Sequence, residues 1–99
     1  MVKIKINFFD KIIKTLNLYK NEFVSISKIY DEVKLEINNK YIDEYFDYLF
    51  LLHLMTIQNY YNNIKINYNK NYDINSIGLF NKDKEQVFND YDTIYYDLY

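Results

Sequence analysis

Apolar and polar positions recur along the chain with periods that change several times, and each change marks an element. Val2, Ile4 and Ile6 alternate with Lys3 and Lys5, the two-residue period of a short half-buried strand or an extended arm. From Phe8 the period lengthens. Phe8 or Phe9, Ile12, Ile13, Leu16 and Tyr19 recur every three or four residues behind Asn7, a capping residue type, so a helix is predicted over 8–20. Asn21-Glu22 interrupts the pattern, Phe23-Val24 is short and apolar, and Ser25 or Ser27 offers the cap of a second helix carrying Ile26, Ile29, Tyr30 and Val33 on one stripe. After Asn38-Asn39 the periodicity is strongest. Tyr41, Ile42, Tyr45, Phe46, Leu49, Phe50 and Leu52 or His53 trace one face, with Lys40, Asp43, Glu44 and Asp47 opposite, the signature of an amphipathic third helix.

Residues 54–58 and 64–68 are two β-rich runs around an asparagine-rich stretch at 59–63, which predicts a β-hairpin with Tyr60 and Tyr61 at its tip. Three helices, a short strand between the first two and a hairpin after the third give the element order of a winged helix. The expected fold is therefore α+β and mainly helical: a winged-helix domain over residues 1–70. Residues 71–99 read as an acidic, aromatic C-terminal extension. Asp83 with Gln86 three residues later fits a capping box, and Val87, Phe88, Tyr91, Ile94, Tyr95 and Leu98 recur at helical spacing, so the extension is predicted to be helical from about 83.

Composition narrows the chemistry. The 99 residues include 14 Ile, 14 Asn, 13 Tyr and 7 Phe, but no Cys, Pro, Ala, Arg or Trp and a single Gly, Gly78. Such usage resembles an AT-rich coding sequence, so aromatic content alone carries little functional weight. With proline absent, asparagine takes over the turns, through its tolerance of left-handed backbone and its side-chain bonds to the main chain. The lack of cysteine excludes disulfides and thiolate metal sites, and one histidine excludes a histidine cluster. The most apolar window, residues 45–55, is far shorter than the ~20 residues of a membrane span. A soluble, cytoplasmic protein without a membrane segment is expected.

Catalytic constellations are weak. Asp43 and Asp47 share a helical face, yet read best as a solvated surface. His53 falls where the third helix should stop, which suggests packing or an interaction with the helix C-terminus. Ser25 and Ser27 lie at a helix cap instead of a nucleophile turn, and no glycine-rich phosphate cradle exists. The reading is a protein without catalytic, metal or cofactor-binding residues and without a small-molecule substrate.

Charge argues against DNA reading by the third helix. In helix-turn-helix proteins that helix enters the major groove, whereas here its outward positions carry Asp43, Glu44 and Asp47 against Lys40. The lysines concentrate in the first third of the chain, where residues 1–35 hold seven lysines and four acids. Lys3, Lys5, Lys11 and Lys14 are accordingly the candidates for DNA-backbone contact, which carries no sequence information.

One stretch resembles a known family. Ile42-Asp43-Glu44-Tyr45-Phe46-Asp47-Tyr48-Leu49-Phe50-Leu51-Leu52-His53-Leu54-Met55, preceded by Val24-Ser25-Ile26-Ser27-Lys28-Ile29-Tyr30, resembles the middle component of ABC-three-component systems. Members typically carry a helix ending in a Leu-Phe-Leu-Leu-Gly-Leu-Ile-like run, and His53 stands here in place of the glycine. The resemblance covers roughly residues 10–60. It implies a small bacterial winged-helix subunit of a Lamassu-type antiphage defence complex, bridging an SMC-like ATPase and an effector subunit, often a nuclease, by protein contacts, with DNA contact only indirect. The exposed aromatics suit that role, so Tyr60, Tyr61, Val87, Phe88, Tyr91, Ile94 and Tyr95 are the expected partner-binding residues. Two other classes fit the composition: a winged-helix transcription regulator, and a small phage- or plasmid-encoded acidic inhibitor.

Overall fold

Two helices form where their apolar stripes predict them, and the third runs well past its expected end. The computed structural model describes residues 8–37, 46–69, 72 and 88–98. Helix α1 spans Phe8–Leu18, strand β1 Phe23–Ser25, helix α2 Ile26–Glu36, helix α3 Phe46–Tyr60, strand β2 Ile64–Asn67 and strand β3 Thr93–Tyr96. Ser25 is the N-cap residue of α2, as expected, but its side chain makes no cap bond. The arm at 2–6, the Asn7 cap and the outward positions Asn38, Asn39, Lys40, Asp43 and Glu44 lie outside the described residues.

The molecule is an α+β assembly of helices on one antiparallel sheet whose order is β1-β3-β2. Phe23, Val24 and Ser25 face Tyr95, Ile94 and Thr93, while Ile64 to Asn67 face Tyr96 to Thr93. Alternation then places Val24, Ile66 and Ile94 on the inner face, where all three are buried. They meet Ile12 and Leu16 of α1, Ile29 and Val33 of α2, and Phe50, Leu54 and Ile57 of α3 in one core. Burying each such side chain contributes about 1.5–3 kcal/mol. Aromatic rings cement one side: Tyr30 meets Phe46 and Phe50 edge-on at 4.9 and 5.2 Å, and Phe88 closes on Phe50 at 5.6 Å.

Two expectations are overturned. Residues 54–58 lie in the third and fourth turns of α3 and form no strand. Leu54 and Ile57 continue the buried stripe of Phe46 and Phe50, and packing at helical spacing outweighs the local β-propensity of the run. β2 therefore pairs with a strand far along the chain, and Tyr60 ends a helix instead of sitting at a hairpin tip. The C-terminal helix is the second correction. Residues 88–92 are turn and irregular backbone, and 93–96 is the central strand of the sheet. Ile94-Tyr95-Tyr96, β-branched and aromatic, gains ladder bonds on both sides there, which a helix with one apolar stripe cannot match. The part of the predicted helix at 83–87 lies outside the described residues.

Asparagine does hold the turns. Asn21 adopts left-handed backbone at φ 64°, a region this residue tolerates better than most. Its backbone N–H donates to the Tyr96 carbonyl at 2.7 Å, its Nδ2 donates to the Leu98 carbonyl at 2.7 Å and its Oδ1 accepts from the Leu98 N–H at 2.9 Å. Across β3, Asn63 exchanges two bonds with Asp97, at 2.7 and 3.1 Å. The end of the chain is thus gripped from both sides by asparagines of the two flanking turns.

Candidate docking surfaces

The outward side of α3 is the first surface. With 3.6 residues per turn, Phe46, Phe50, Leu51, Leu54 and Ile57 point inward and are buried, which leaves Tyr48, Leu52, Thr56 and Asn59 on the opposite side, with Met55 at its edge and packed against the core. Leu52, Thr56 and Asn59 are exposed, and Tyr48 and Met55 half-buried. The 15-residue helix has no lysine and one acid, Asp47. That carboxylate accepts a hydrogen bond from the Tyr30 hydroxyl. An exposed helical surface so poor in charge has the composition of an interface centre, which is depleted of charged residues and enriched in aromatics and methionine.

The outer face of the sheet is the second. Phe23, Tyr95 and Lys65 lie in one row across the three strands. The Phe23 ring is 70% exposed and packs on Tyr95 with centroids 4.8 Å apart. Tyr91, just before β3, is 79% exposed.

These positions rearrange the expected partner-binding set. Tyr60, Tyr61 and Tyr91 are exposed, and Tyr95 is half-buried against Phe23. Tyr61 also leans on Phe9, ring centroids 5.9 Å apart. Phe88 and Ile94 are core residues, each 1% exposed, and no partner reaches them in the folded chain. Val87 lies outside the described residues. Phe23 was missed by sequence reading because a three-residue strand gives too short a pattern to tell its inner from its outer face.

The other candidates separate as well. Lys11 pairs with Glu36 at 3.3 Å, tying α1 to α2, and Lys14 is exposed. Lys3 and Lys5 lie outside the described residues. His53 sits in the middle of α3, so the expected helix-end role does not hold. Its Nδ1–H donates to the Leu49 carbonyl at 2.6 Å and its ring stacks on Phe8 at 5.0 Å, a packing role.

Asp92 organises the approach to β3, and sequence reading gave it no role. Its side chain is fully buried and accepts from the Asn69 N–H at 2.6 Å, the Asn89 N–H at 3.0 Å and the Tyr72 hydroxyl. Its backbone carbonyl takes the N–H of Ile26 at 2.8 Å, the first residue of α2, and Ser27 donates to neighbouring Asp90 at 3.3 Å. Residues distant in sequence thus satisfy a helix N-terminus whose own cap residue makes no such bond. The Tyr72 ring lies 5.4 Å from Tyr68 and 5.0 Å from Phe88. Burial, with the Asp92 charge added, pushes the Tyr68 phenol up to about 12, and burial, the hydrogen bond to Asp92 and the Asp92 charge together raise Tyr72 further. Tyr19 is raised chiefly by its hydrogen bond to Glu32.

Among the described residues no group of three or more His, Asp or Glu is placed to hold a metal ion, and no helix is long and apolar enough to cross a membrane. No protein-family model matches the chain, and neither a curated protein nor a solved structure matches it.

Proposed function

We propose that this chain is a winged-helix protein that works without catalysis, as an accessory subunit docking on other proteins, and that its partners are an SMC-like ATPase and an effector subunit of a bacterial antiphage complex. The observation that carries the docking role is the surface of α3. The helix that would read a major groove presents Tyr48, Leu52, Thr56 and Asn59 and has no lysine, and its acid is held by Tyr30. DNA affinity depends on cations that neutralise phosphates and release counterions, and over Phe46–Tyr60 this helix brings none. An uncharged, partly apolar surface instead suits protein contact.

Support for the winged-helix reading comes from the order helix, strand, helix, helix, strand, strand, and from β1 joining the sheet beside β3. Support for two protein contacts comes from the separate position of the Phe23–Tyr95 row on the outer face of the sheet, away from the helices. The identity of the partners rests on the resemblance at residues 10–60.

The test is a capture experiment with paired variants. Phe23→Asp with Leu52→Asp places one charge on the outer sheet face and one on α3, both at exposed positions, so the domain should fold and yet lose at least one partner from the assembly purified with its neighbouring gene products. A folded double variant that retains every partner would overturn this placement of the docking surface.

A further inference from the structure

Strand β2 pairs with β3 on one side, and among the described residues no strand pairs with its other side. Register fixes where its backbone groups point. Asn63 and Asp97 continue the β2–β3 register, and the Asp97 N–H donates to the Asn63 carbonyl at 2.7 Å. Bonded and non-bonded pairs alternate along an antiparallel ladder, so Lys65 and Asn67 turn their N–H and C=O groups to β3, whereas Ile64 and Ile66 turn theirs away. The far side of β3 agrees: the Ile26 N–H donates to the Asp92 carbonyl at 2.8 Å in the β1–β3 register, which commits the backbone of Ile94 to Val24 and not to Ile66. β2 therefore directs two N–H and two C=O groups toward a further strand, while the Ile64 and Ile66 side chains are buried and Lys65 and Asn67 are exposed. Such an edge is a template for an extended segment.

One segment of this chain matches the edge in reach, direction and face. Helix α1 begins at the corner where β2 begins: Phe9 packs on Tyr61 with ring centroids 5.9 Å apart, and Tyr61 precedes Ile64 by three residues. Residues 2–6 come just before α1 and lie outside the described residues. Five extended residues cover about 16 Å, against about 13 Å for the four of β2. A segment that enters α1 at this corner after running along β2 is antiparallel to it, with Ile6 opposite Ile64, Ile4 opposite Ile66 and Val2 beside Tyr68. The bonded pairs then fall at Ile64 and Ile66, where the outward groups are. The alternation of Val2, Ile4 and Ile6 with Lys3 and Lys5 puts the apolar three on the buried face of the sheet and the lysines on the exposed one, and a slip of one residue would bury both lysines.

We infer that residues 2–6 of this chain are the occupant of the β2 edge, a strap that closes the sheet as its fourth strand, antiparallel to β2. A protein that reached this chain by strand addition at β2 would have to displace the strap first, so the edge is available only when the strap is released. The inference stands apart from the accessory role, which uses α3 and the outer sheet row. One contact in this register is unfavourable: Lys5 faces Lys65 on the solvent side, and like charges directly opposite repel. No other register with the apolar residues inward sets these two lysines against each other, which makes the pair a marker of the register.

Amide hydrogen exchange of the full chain, resolved by residue with NMR, tests this, with the amides of α2 as the reference for intact folding. In the wild type the Ile64 and Ile66 amides are expected to exchange about 100-fold or more slowly than in an unfolded chain. Ile4→Pro removes the N–H that bonds Ile66 and should lower that protection about tenfold or more with α2 unchanged. Lys3→Pro is the control: the Lys3 N–H points away from β2, so protection should stay within about threefold of wild type. Lys5→Glu turns the like pair with Lys65 into an opposite one and should raise protection about threefold at low salt. Free exchange of Ile64 and Ile66 in the wild type, equal losses from the two proline variants, or a Lys5→Glu variant no better protected than wild type overturns the proposal. Protection that grows with protein concentration would assign the strap to a second copy and overturn closure within one chain.

Discussion

Replacing Asp92 by alanine should be among the most damaging polar substitutions in this chain. The carboxylate is fully buried and receives the Asn69 N–H, the Asn89 N–H and the Tyr72 hydroxyl. Truncation removes the acceptor for all three. A hydrogen bond to a charged group is worth roughly 1.5–3 kcal/mol, and a buried donor left without a partner costs about 1–3 kcal/mol. Asn69 is exposed, so its N–H can turn to water, whereas Tyr72 and Asn89 are partly enclosed. The expected loss is about 3–5 kcal/mol, a large share of the roughly 5–15 kcal/mol that a domain of this size possesses. Urea denaturation followed by circular dichroism measures it. With a slope of about 1–3 kcal/mol per molar urea, the midpoint should fall by on the order of 2 M or the chain should be unfolded without denaturant. Tyr72→Phe removes one of the three bonds and should cost about 1–2 kcal/mol. A loss below about 1 kcal/mol for Asp92→Ala would refute the reasoning, because it would mean that water or other groups replace the carboxylate at no cost.

Other substitutions probe different parts of the fold. Asn21→Ala should destabilise by about 2 kcal/mol through the loss of two side-chain bonds and the strain of a left-handed alanine, and Asn21→Gly should recover the backbone part only; denaturant midpoints report both. Alkaline pH should weaken the fold. The Tyr68 phenol stays protonated in the folded chain up to about 12, while an unfolded tyrosine ionises near 10, so stability is intact below about pH 10 and falls by roughly 2 kcal/mol as pH rises to about 12. Tyr68→Phe should flatten that fall without lowering stability at neutral pH, since the hydroxyl is buried with no hydrogen-bond partner among the described residues; tyrosinate absorbance and unfolding recorded together check it. Duplex DNA titrated with the isolated chain at physiological salt should show binding no tighter than about 10⁻⁴ M, the weak end of non-specific affinity, and fluorescence anisotropy measures this.

What was legible in the sequence follows from how local each determinant is. The stripes Phe8-Ile12-Leu16 and Ile26-Ile29-Val33 repeat within three turns, so α1 and α2 could be placed from spacing alone. The end of α3 could not. Residues 51–57 are apolar at almost every position, so they fit a strand or a buried helix equally well, and only contacts with β2 and the core decide. The C-terminal strand failed for a related reason: Tyr91, Ile94, Tyr95 and Leu98 have helical spacing, yet Ile94 lies between Val24 and Ile66, partners 70 and 28 residues earlier in the chain. Pairing over such separations has no local signature. The same holds for Asp92, whose three donors come from residues 69, 72 and 89. Although Asn89-Asp90-Tyr91-Asp92 announces a turn, nothing in it tells which acid is buried.

The central claim is that this chain acts by holding other proteins, and the most direct measurement is affinity purification of the tagged chain expressed with its neighbouring genes, with partners identified and the complex weighed by mass spectrometry. Recovery of a large coiled-coil ATPase and a second subunit in fixed ratio is the expected result. Elution without any other protein, together with salt-dependent binding of duplex DNA by the same preparation, would contradict it.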